Sequence, residues 1–553
     1  MAKHGPRRIF LLTLMIAAAC ITNAAGQDSA SQLRERLPSG SPKALAPKTT
    51  EKVTASTDQT AAEISVVLAR PTKITFTHAT VIADTELQAV AAPYLGRDLN
   101  REDLGSLAKD LTDHYRARGF VWARAVIPPQ DASKGVLQVT VEEGIIAAIE
   151  VEGDEKHLAE DLEPYFWELL SGEPATRRAM QQALLTIGDL PGLRVIDSSV
   201  VPVADRPGVF RLIIKIEEDL VEGQVYVDNR DGSEQDRQVS GEVSVNGLFG
   251  TGTEIALAAY TSLDHPDRKK FAELSVSAPL GLRGTMVEVT GSTAQSNNGV
   301  FGRSGRRESE SYELGLGLKH PFIRTSAASL WVNVELLQAN EWDKDDGRLD
   351  SKDELSILRA GLNTRLVLDE GAVTSASATV SVGRDAFKHR PGSPLANPDD
   401  GAAFTKFAVT ASHLQPLGGA LKVYAAMRGQ YSEDNLPDGE QIYFGGARWG
   451  RAYDYSEIAG ETGLAGQIEL RHLIKADALV KHVELYAFAD SAATWTRGGE
   501  GEPDTLASAG LGVRAGLDDH LTANLEWAKP LTRIPDGQGD LDPRLFASAT
   551  FAF

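Results

Sequence analysis

The 553-residue chain carries 56 Lys and Arg against 77 Asp and Glu, a formal net charge of −21. That balance excludes nucleic acid as a partner, because phosphate binding needs a basic surface, and the length predicts several modules rather than one ordinary domain. The one cysteine, Cys20, lies in an apolar N-terminal run, so a processed chain has no disulfide, no thiol chemistry and no Cys-ligated metal.

Residues 1–26 join a basic start (Lys3, Arg7, Arg8) to an apolar core over 9–21 and the small residues Ala24, Ala25 and Gly26. This predicts a secretory signal peptide, too short to span a membrane. Past it, no segment offers the eighteen or so apolar residues of a membrane helix, so a membrane-embedded chain must be a closed barrel. Residues 27–71 are rich in Ser, Thr, Ala, Lys and Pro and read as a linker, with a short helical candidate at 31–37.

From 72 to 143 the pattern predicts a strand (74–82), a helix placing Leu87, Val90, Ala91, Tyr94 and Leu95 on one face, and a second helix opening at Asn100. That helix buries Leu104, Leu107, Leu111 and Tyr115 and stops at Gly119, and two strands follow at 121–127 and 136–141. Residues 144–219 repeat the order: strand 145–151, helices 158–170 and 176–187, strands 193–201 and 209–216. The wording DHYRARGFVWARAVIPPQ followed by GVLQVTVEEG resembles a POTRA (polypeptide-transport-associated) domain, and the resemblance implies two such α+β domains in tandem. Such a domain would bind an extended client segment at a sheet edge or a helix–strand groove.

From 220 to 553 the texture changes to alternating runs of about ten residues separated by Gly, Asp, Asn and Pro turns, the pattern of an antiparallel transmembrane β-barrel. About sixteen strands are predicted, beginning near residues 223, 238, 253, 269, 284, 309, 327, 354, 373, 404, 420, 464, 480, 507, 521 and 544. In the last strand Leu545, Ala547, Ala549, Phe551 and Phe553 share one face, which predicts a lipid-facing band ending in a C-terminal aromatic, Phe553.

Between the eleventh and twelfth strands lies a long glycine-punctuated loop, 436–463, with Trp449, Tyr453 and Tyr455 around a central Arg451. Long loops in compact folds are usually functional, and the aromatics predict one that packs. In HVELYAFADSA, the residues His482, Glu484, Tyr486, Phe488 and Asp490 share one face, so Asp490 projects to the polar side, where a lumen carboxylate can meet Arg451.

Gly450-Arg451-Ala452-Tyr453, then Gly460-Glu461-Thr462-Gly463, resemble the Val-Arg-Gly-Tyr and Gly-Asp-x-Gly motifs of two-partner secretion transporters of the ShlB/FhaC/HecB type. Gly450, Ala452 and Glu461 depart from that pattern. Phe488-Ala489-Asp490-Ser491-Ala492 likewise resembles the family's Phe-x-Asp-x-Gly strand motif, with Ala for the glycine. The resemblance implies an Arg451 tip in the lumen, meeting Asp490. It also implies an outer-membrane transporter of a Gram-negative bacterium that captures an unfolded exoprotein (a TpsA-type client) with periplasmic POTRA domains and passes it through the barrel. The barrel assembly machinery would insert it, outer-membrane lipid would surround it, and a helix in the N-terminal segment would plug its pore. No cofactor, metal or catalytic residue is expected.

Two rival classes remain: an assembly factor that inserts other barrels through a lateral gate, and an outer-membrane hydrolase. The acid–histidine pairs Asp264-His265 and Asp519-His520 lack a serine nucleophile motif, which disfavours the hydrolase.

Overall fold

The computed structural model describes residues 33–34, 36–37, 50–52, 66–67, 70–152, 156–232, 235–298, 307–345, 348–385, 403–475, 480–497, 502–536 and 538–553. The signal peptide read over 1–26 lies outside them.

The first module is a three-stranded sheet, β1 (Lys73–Thr77), β2 (Arg124–Val126) and β3 (Val136–Glu142), with β3 in the centre and two helices, α1 (Asp84–Ala91) and α2 (Arg101–Ala117), packed against it. The α2 start is fixed as the sequence predicts: Asn100 accepts from the Asp103 amide and Asp103 accepts from the Asn100 amide, a reciprocal cap. That bond first, with the Arg97 guanidinium beside it, holds the Asp103 carboxyl below its ordinary range. Leu87, Leu107, Leu111, Tyr115 and Val139 form the core.

Two predicted strands are shorter than their apolar runs. The strand read at 74–82 ends at Thr77, because His78 turns to a φ of 60° and the Thr80 and Val81 amides donate to the buried Glu143 carboxylate instead of a ladder. The strand read at 121–127 shrinks to β2, because Val121 and Trp122 leave the sheet and join the core of the second module.

That second module runs β4 (Ile145–Glu152), α3 (Lys156–Leu162), α4 (Arg177–Gly188), β5 (Leu193–Pro202) and β6 (Val209–Glu218). The helix read at 158–170 ends at Leu162, because Pro164 opens a 3₁₀ turn over Glu163–Phe166. In the sheet, β6 lies between β4 and β5, and the far side of β5 pairs with a short strand from the N-terminal segment, Thr50–Lys52.

The barrel is closed and has sixteen strands. They are β7 (Val221–Asp231), β8 (Asp236–Asn246), β9 (Glu254–Ser262), β10 (Lys269–Pro279), β11 (Met286–Asn298), β12 (Arg307–Arg324), β13 (Ala328–Asp345) and β14 (Arg348–Val367). The second half comprises β15 (Val373–Asp385), β16 (Ala403–Gly418), β17 (Leu421–Ser432), then, after the long loop with its own hairpin β18 (Ile442–Phe444) and β19 (Ile458–Gly460), β20 (Thr462–Lys475). It ends with β21 (His482–Trp495), β22 (Asp504–Gly516), β23 (Leu521–Pro530) and β24 (Arg544–Ala552), which pairs back onto β7. Closure satisfies every strand edge, which hydrocarbon demands. Phe553 completes the seam, its amide and carbonyl exchanging hydrogen bonds with Gly223.

Strand alternation sorts the side chains. Leu314, Leu316, Leu358, Leu362, Phe407, Leu464, Ile468, Leu525 and Trp527 stand exposed on the outer wall, while Gln238, Ser292, Ser311, Ser381, Gln430, Glu469 and Glu526 are buried on the inner one. Every strand start falls within six residues of its predicted position, the largest difference being at Arg348, where β14 reaches beyond the apolar run that marked it.

The second module is tied to the barrel rim. Asp189 accepts two hydrogen bonds from Arg324, both at 2.6 Å, with the Arg324 side chain only 5% exposed. Thr251 donates to Asp161 at 2.6 Å, and Met286 packs against the module's core. Asp189→Ala would take this carboxylate from the buried Arg324 guanidinium, at a cost of about 3 kcal/mol. The expected result is faster limited proteolysis in the 219–221 joint than in the unaltered chain; equal rates would contradict this docking.

Candidate functional site in the lumen loop

The long loop turns into the barrel and packs. Ile442, Phe444, Trp449, Ala452, Tyr453 and Ile458 form one buried cluster with Ala465, Tyr486, Phe488, Leu506 and Phe546 of the wall. Glycine makes the path possible at two places. Gly445 has a φ of 121° and a Cβ there would meet the Asp454 carbonyl oxygen at 2.0 Å, and Gly450 has a φ of 77° with Leu506 Cδ1 at 2.5 Å from the same virtual atom. Gly450 therefore turns the chain just before the arginine that it presents.

The Arg451 guanidinium enters a ring of wall carboxylates. Its Nη2 lies 2.5 Å from Glu469 Oε1, its Nη1 lies 3.3 Å from Glu526 Oε2, its Nη2 also bonds Gln467, and the group stacks 4.3 Å from the Phe488 ring centre. Asp490 does something different from what the motif implies. Its carboxylate accepts from the backbone amides of Gly450 (3.1 Å) and Arg451 (3.3 Å) and from Ser508 Oγ (2.5 Å), while Arg451 Nε stays 3.9 Å away. Asp490 thus fixes the loop's backbone, and Glu469 and Glu526 take most of the arginine's charge.

The network extends outward from these three acids. Glu526 also accepts from Arg230 Nη2 at 2.5 Å and from the Tyr486 hydroxyl at 2.8 Å, and Glu469 receives Arg514 at 3.0 Å and Arg471 at 2.6 Å. Arg230 Nη1 donates to the Arg451 carbonyl at 2.8 Å, and Arg544 holds both the Ala452 carbonyl (3.2 Å) and Asp454 (2.6 Å). Further along the chain, Tyr453 donates to the Ala507 carbonyl at 3.0 Å, and Glu461 accepts from the Arg497 amide at 3.0 Å. Gly463, last of the second motif, belongs to β20, and Gly460 lies against the Trp495 backbone with no room for a side chain. The loop's first limb has its own clamp, Glu440 lying 2.7 Å from both Arg359 and Lys406.

A second arrival meets this loop. Arg36 of the N-terminal segment, 4% exposed, donates to Asp231 at 3.0 Å and Tyr260 at 2.9 Å and stacks 4.5 Å from the loop's Tyr455 ring. Arg34 pairs with Glu273 at 2.5 Å and Glu313 at 3.0 Å, and Leu33 packs with Tyr260, Phe271 and Ala294.

Of the residues that the motifs name, the structure gathers Arg451, Tyr453, Phe488 and Asp490 at one place in the lumen. Glu469 and Glu526 alternate into the polar wall like other lumen residues, and nothing in the sequence patterns singles out Arg230, Arg544 or Glu440. Alternation placed those side chains inward, but which lumen charge opposes which depends on register and on the loop's path.

With Arg451, Glu469, Asp490 and Glu526 side chains each no more than 5% exposed, these pairs differ from surface ones. Glu526→Ala leaves Arg230 and Arg451 short of a carboxylate and should destabilise the folded barrel by about 3–5 kcal/mol. Glu310→Ala, which removes the more open 3.6 Å pair to Lys344, should cost less than about 1 kcal/mol. The temperature at which the refolded barrel loses its compact gel migration measures both; equal shifts would show that the network is not buried as described.

The profile of the haemolysin secretion/activation protein family, ShlB/FhaC/HecB, matches residues 212–515, and that of the ShlB-type POTRA domain matches residues 70–144. The chain is 24% identical over 405 residues to the heme/hemopexin transporter protein HuxB of Haemophilus influenzae, spanning 71% of this chain and 70% of that one. It is 26% identical over 474 residues to the outer membrane transporter CdiB of Escherichia coli, spanning 83% and 79%. The solved structure of CdiB from Escherichia coli superposes with a TM-score of 0.73 at 24% identity, covering 95% of this chain and 97% of that one. BamA from Haemophilus ducreyi lacking POTRA domains 1-3 has a TM-score of 0.50 at 15% identity, covering 88% and 100%. At these identities the two structural likenesses speak to fold alone.

Proposed function

The chain belongs to the haemolysin secretion/activation protein family of the ShlB/FhaC/HecB type, and from that premise we propose an outer-membrane transporter of two-partner secretion. Residues 72–143 and the repeat at 144–219 act as periplasmic POTRA domains that capture an unfolded exoprotein, and the barrel conducts it to the surface of a Gram-negative cell. The barrel assembly machinery inserts the chain, lipid contacts the exposed apolar band, and folding of the client outside supplies direction.

The observation that carries this reading is the lumen itself: a closed wall whose polar interior receives two of the chain's own segments, each with arginines set among wall carboxylates. Those ion pairs can be exchanged for water or for a client's polar groups. Residues 31–37 act as the plug and Arg451 as the loop's anchor, joined through Arg36 and Tyr455.

Single-channel recording in a planar bilayer tests the conduit. Deletion of residues 27–63 and the Arg451→Ala variant should each raise conductance or open time above that of the unaltered chain. A folded barrel that passes no current in any variant would remove the basis for a pore.

One observation favours barrel insertion through a lateral opening: β7 and β24 share five backbone partners, against eight between β23 and β24. A disulfide across this seam, Val225→Cys with Phe551→Cys, distinguishes the readings. Secretion should continue with the seam oxidised, and loss of secretion that reduction restores would favour lateral opening.

A further inference from the structure

The N-terminal segment touches three places in succession. After the Leu33–Leu37 contacts in the barrel, Thr50–Lys52 lies parallel to β5, with Thr50 opposite Asp197, Glu51 opposite Ser198 and Lys52 opposite Ser199. Val66–Val67 then pairs, again in parallel, with Gln130–Asp131 of the first module.

The β5 pairing stands out because of what it covers. The inner side of β5 is taken by β6, so its outer side is the edge of the sheet, a row of amides and carbonyls open to any added strand. A bulge between Val195 and Asp197 bends β5 immediately before the paired stretch and re-aims its edge there. Three of the ten β5 residues are covered, so the pairing is short. The covering residues, Thr50, Glu51 and Lys52, are polar, and none is a large apolar residue. They are suited to adding through their backbone, which any extended segment could also do.

We propose that the outer edge of β5 is where an extended segment of the exoprotein docks, and that residues 50–52 occupy it as an internal stand-in at rest. The client adds in parallel, read mainly through its backbone, and does so only by displacing Thr50–Lys52. Displacement frees the chain that leads back to the Arg34 and Arg36 contacts, so edge occupancy and pore clearance are coupled. This rests on the secretion reading and identifies the surface and its regulation.

The test uses the full chain in detergent and a fluorescent peptide of its own residues 46–56, APKTTEKVTAS, as the probe. A tethered segment competes at an effective concentration near millimolar, so releasing it should strengthen peptide binding by roughly tenfold or more. Glu51→Pro releases it, because proline disrupts the ladder. In the opposite direction, Lys52→Cys with Ser199→Cys, in a chain whose only other cysteine is Cys20, locks the edge. The oxidised protein should bind no peptide and the same protein, once reduced, should bind as the unaltered chain does. Peptide binding that ignores both the proline and the disulfide would overturn the proposal. Bilayer recording then tests the coupling: the peptide should lengthen openings of the reduced double variant and leave the oxidised one unchanged. Binding at β5 without any change in openings would also overturn it. A chain that forms no pore at all would instead refute the secretion reading, which the peptide measurement does not require.

Discussion

An arginine withdrawn from water inside a barrel must be matched, and the matching of Arg451 determines where the rest of the lumen goes. Glu469 and Glu526 sit on β20 and β23, and Asp490 on β21 holds the two amides at the loop's tip. No one strand supplies the site: seating the loop tip takes β20, β21 and β23 in their final register. The converse also holds: with the loop absent, Arg230, Glu469 and Glu526 would face a wet channel. Burial raises the cost of losing any one partner well above that of a surface pair, while leaving the set exchangeable when water or polar chain enters together.

The same logic recurs at each joint. Arg324 and Asp189 fix the second module to the rim, Glu440 with Arg359 and Lys406 fixes the loop's first limb, and Arg36 links the N-terminal segment to both wall and loop. Apolar packing builds the bodies and seats the loop against the wall, and buried charge is present at every joint. This arrangement suits a transporter. Bodies that keep their shape are held together by contacts that a polar, unfolded chain is chemically equipped to replace.

Much of this was legible in the sequence because hydrocarbon enforces a period of two. Leu464, Gly466, Ile468 and Leu470 alternate with Ala465, Gln467, Glu469 and Arg471, which specifies both the strand and its orientation, and Asn100 specifies the start of α2. Readings went astray where a tertiary contact outbid a local pattern: Val121 and Trp122 leave their strand for the neighbouring module's core, and Pro164 ends a helix whose apolar spacing continues. The site was half legible. Motif and alternation identified Arg451 and Asp490, but the arginine's closest acids, Glu469 and Glu526, are ordinary alternating lumen residues until register sets them opposite the loop tip. Arg230 and Arg544 lie at least 90 residues away from the loop positions they hold, a separation at which one sequence carries no pairing signal.

A client chain that crosses through the lumen, rather than along the outer wall or between the first and last strands, passes the inward-facing side chains alone. Photoreactive residues placed singly at inward Ser292 and Ser381 and at outward Leu314 and Leu358 test this route, with the exoprotein stalled in transit by a folded C-terminal passenger. Adducts with the exoprotein are expected from the two inward positions and none from the two outward ones. Adducts from Leu314 or Leu358, with none from inside, would contradict passage through the lumen.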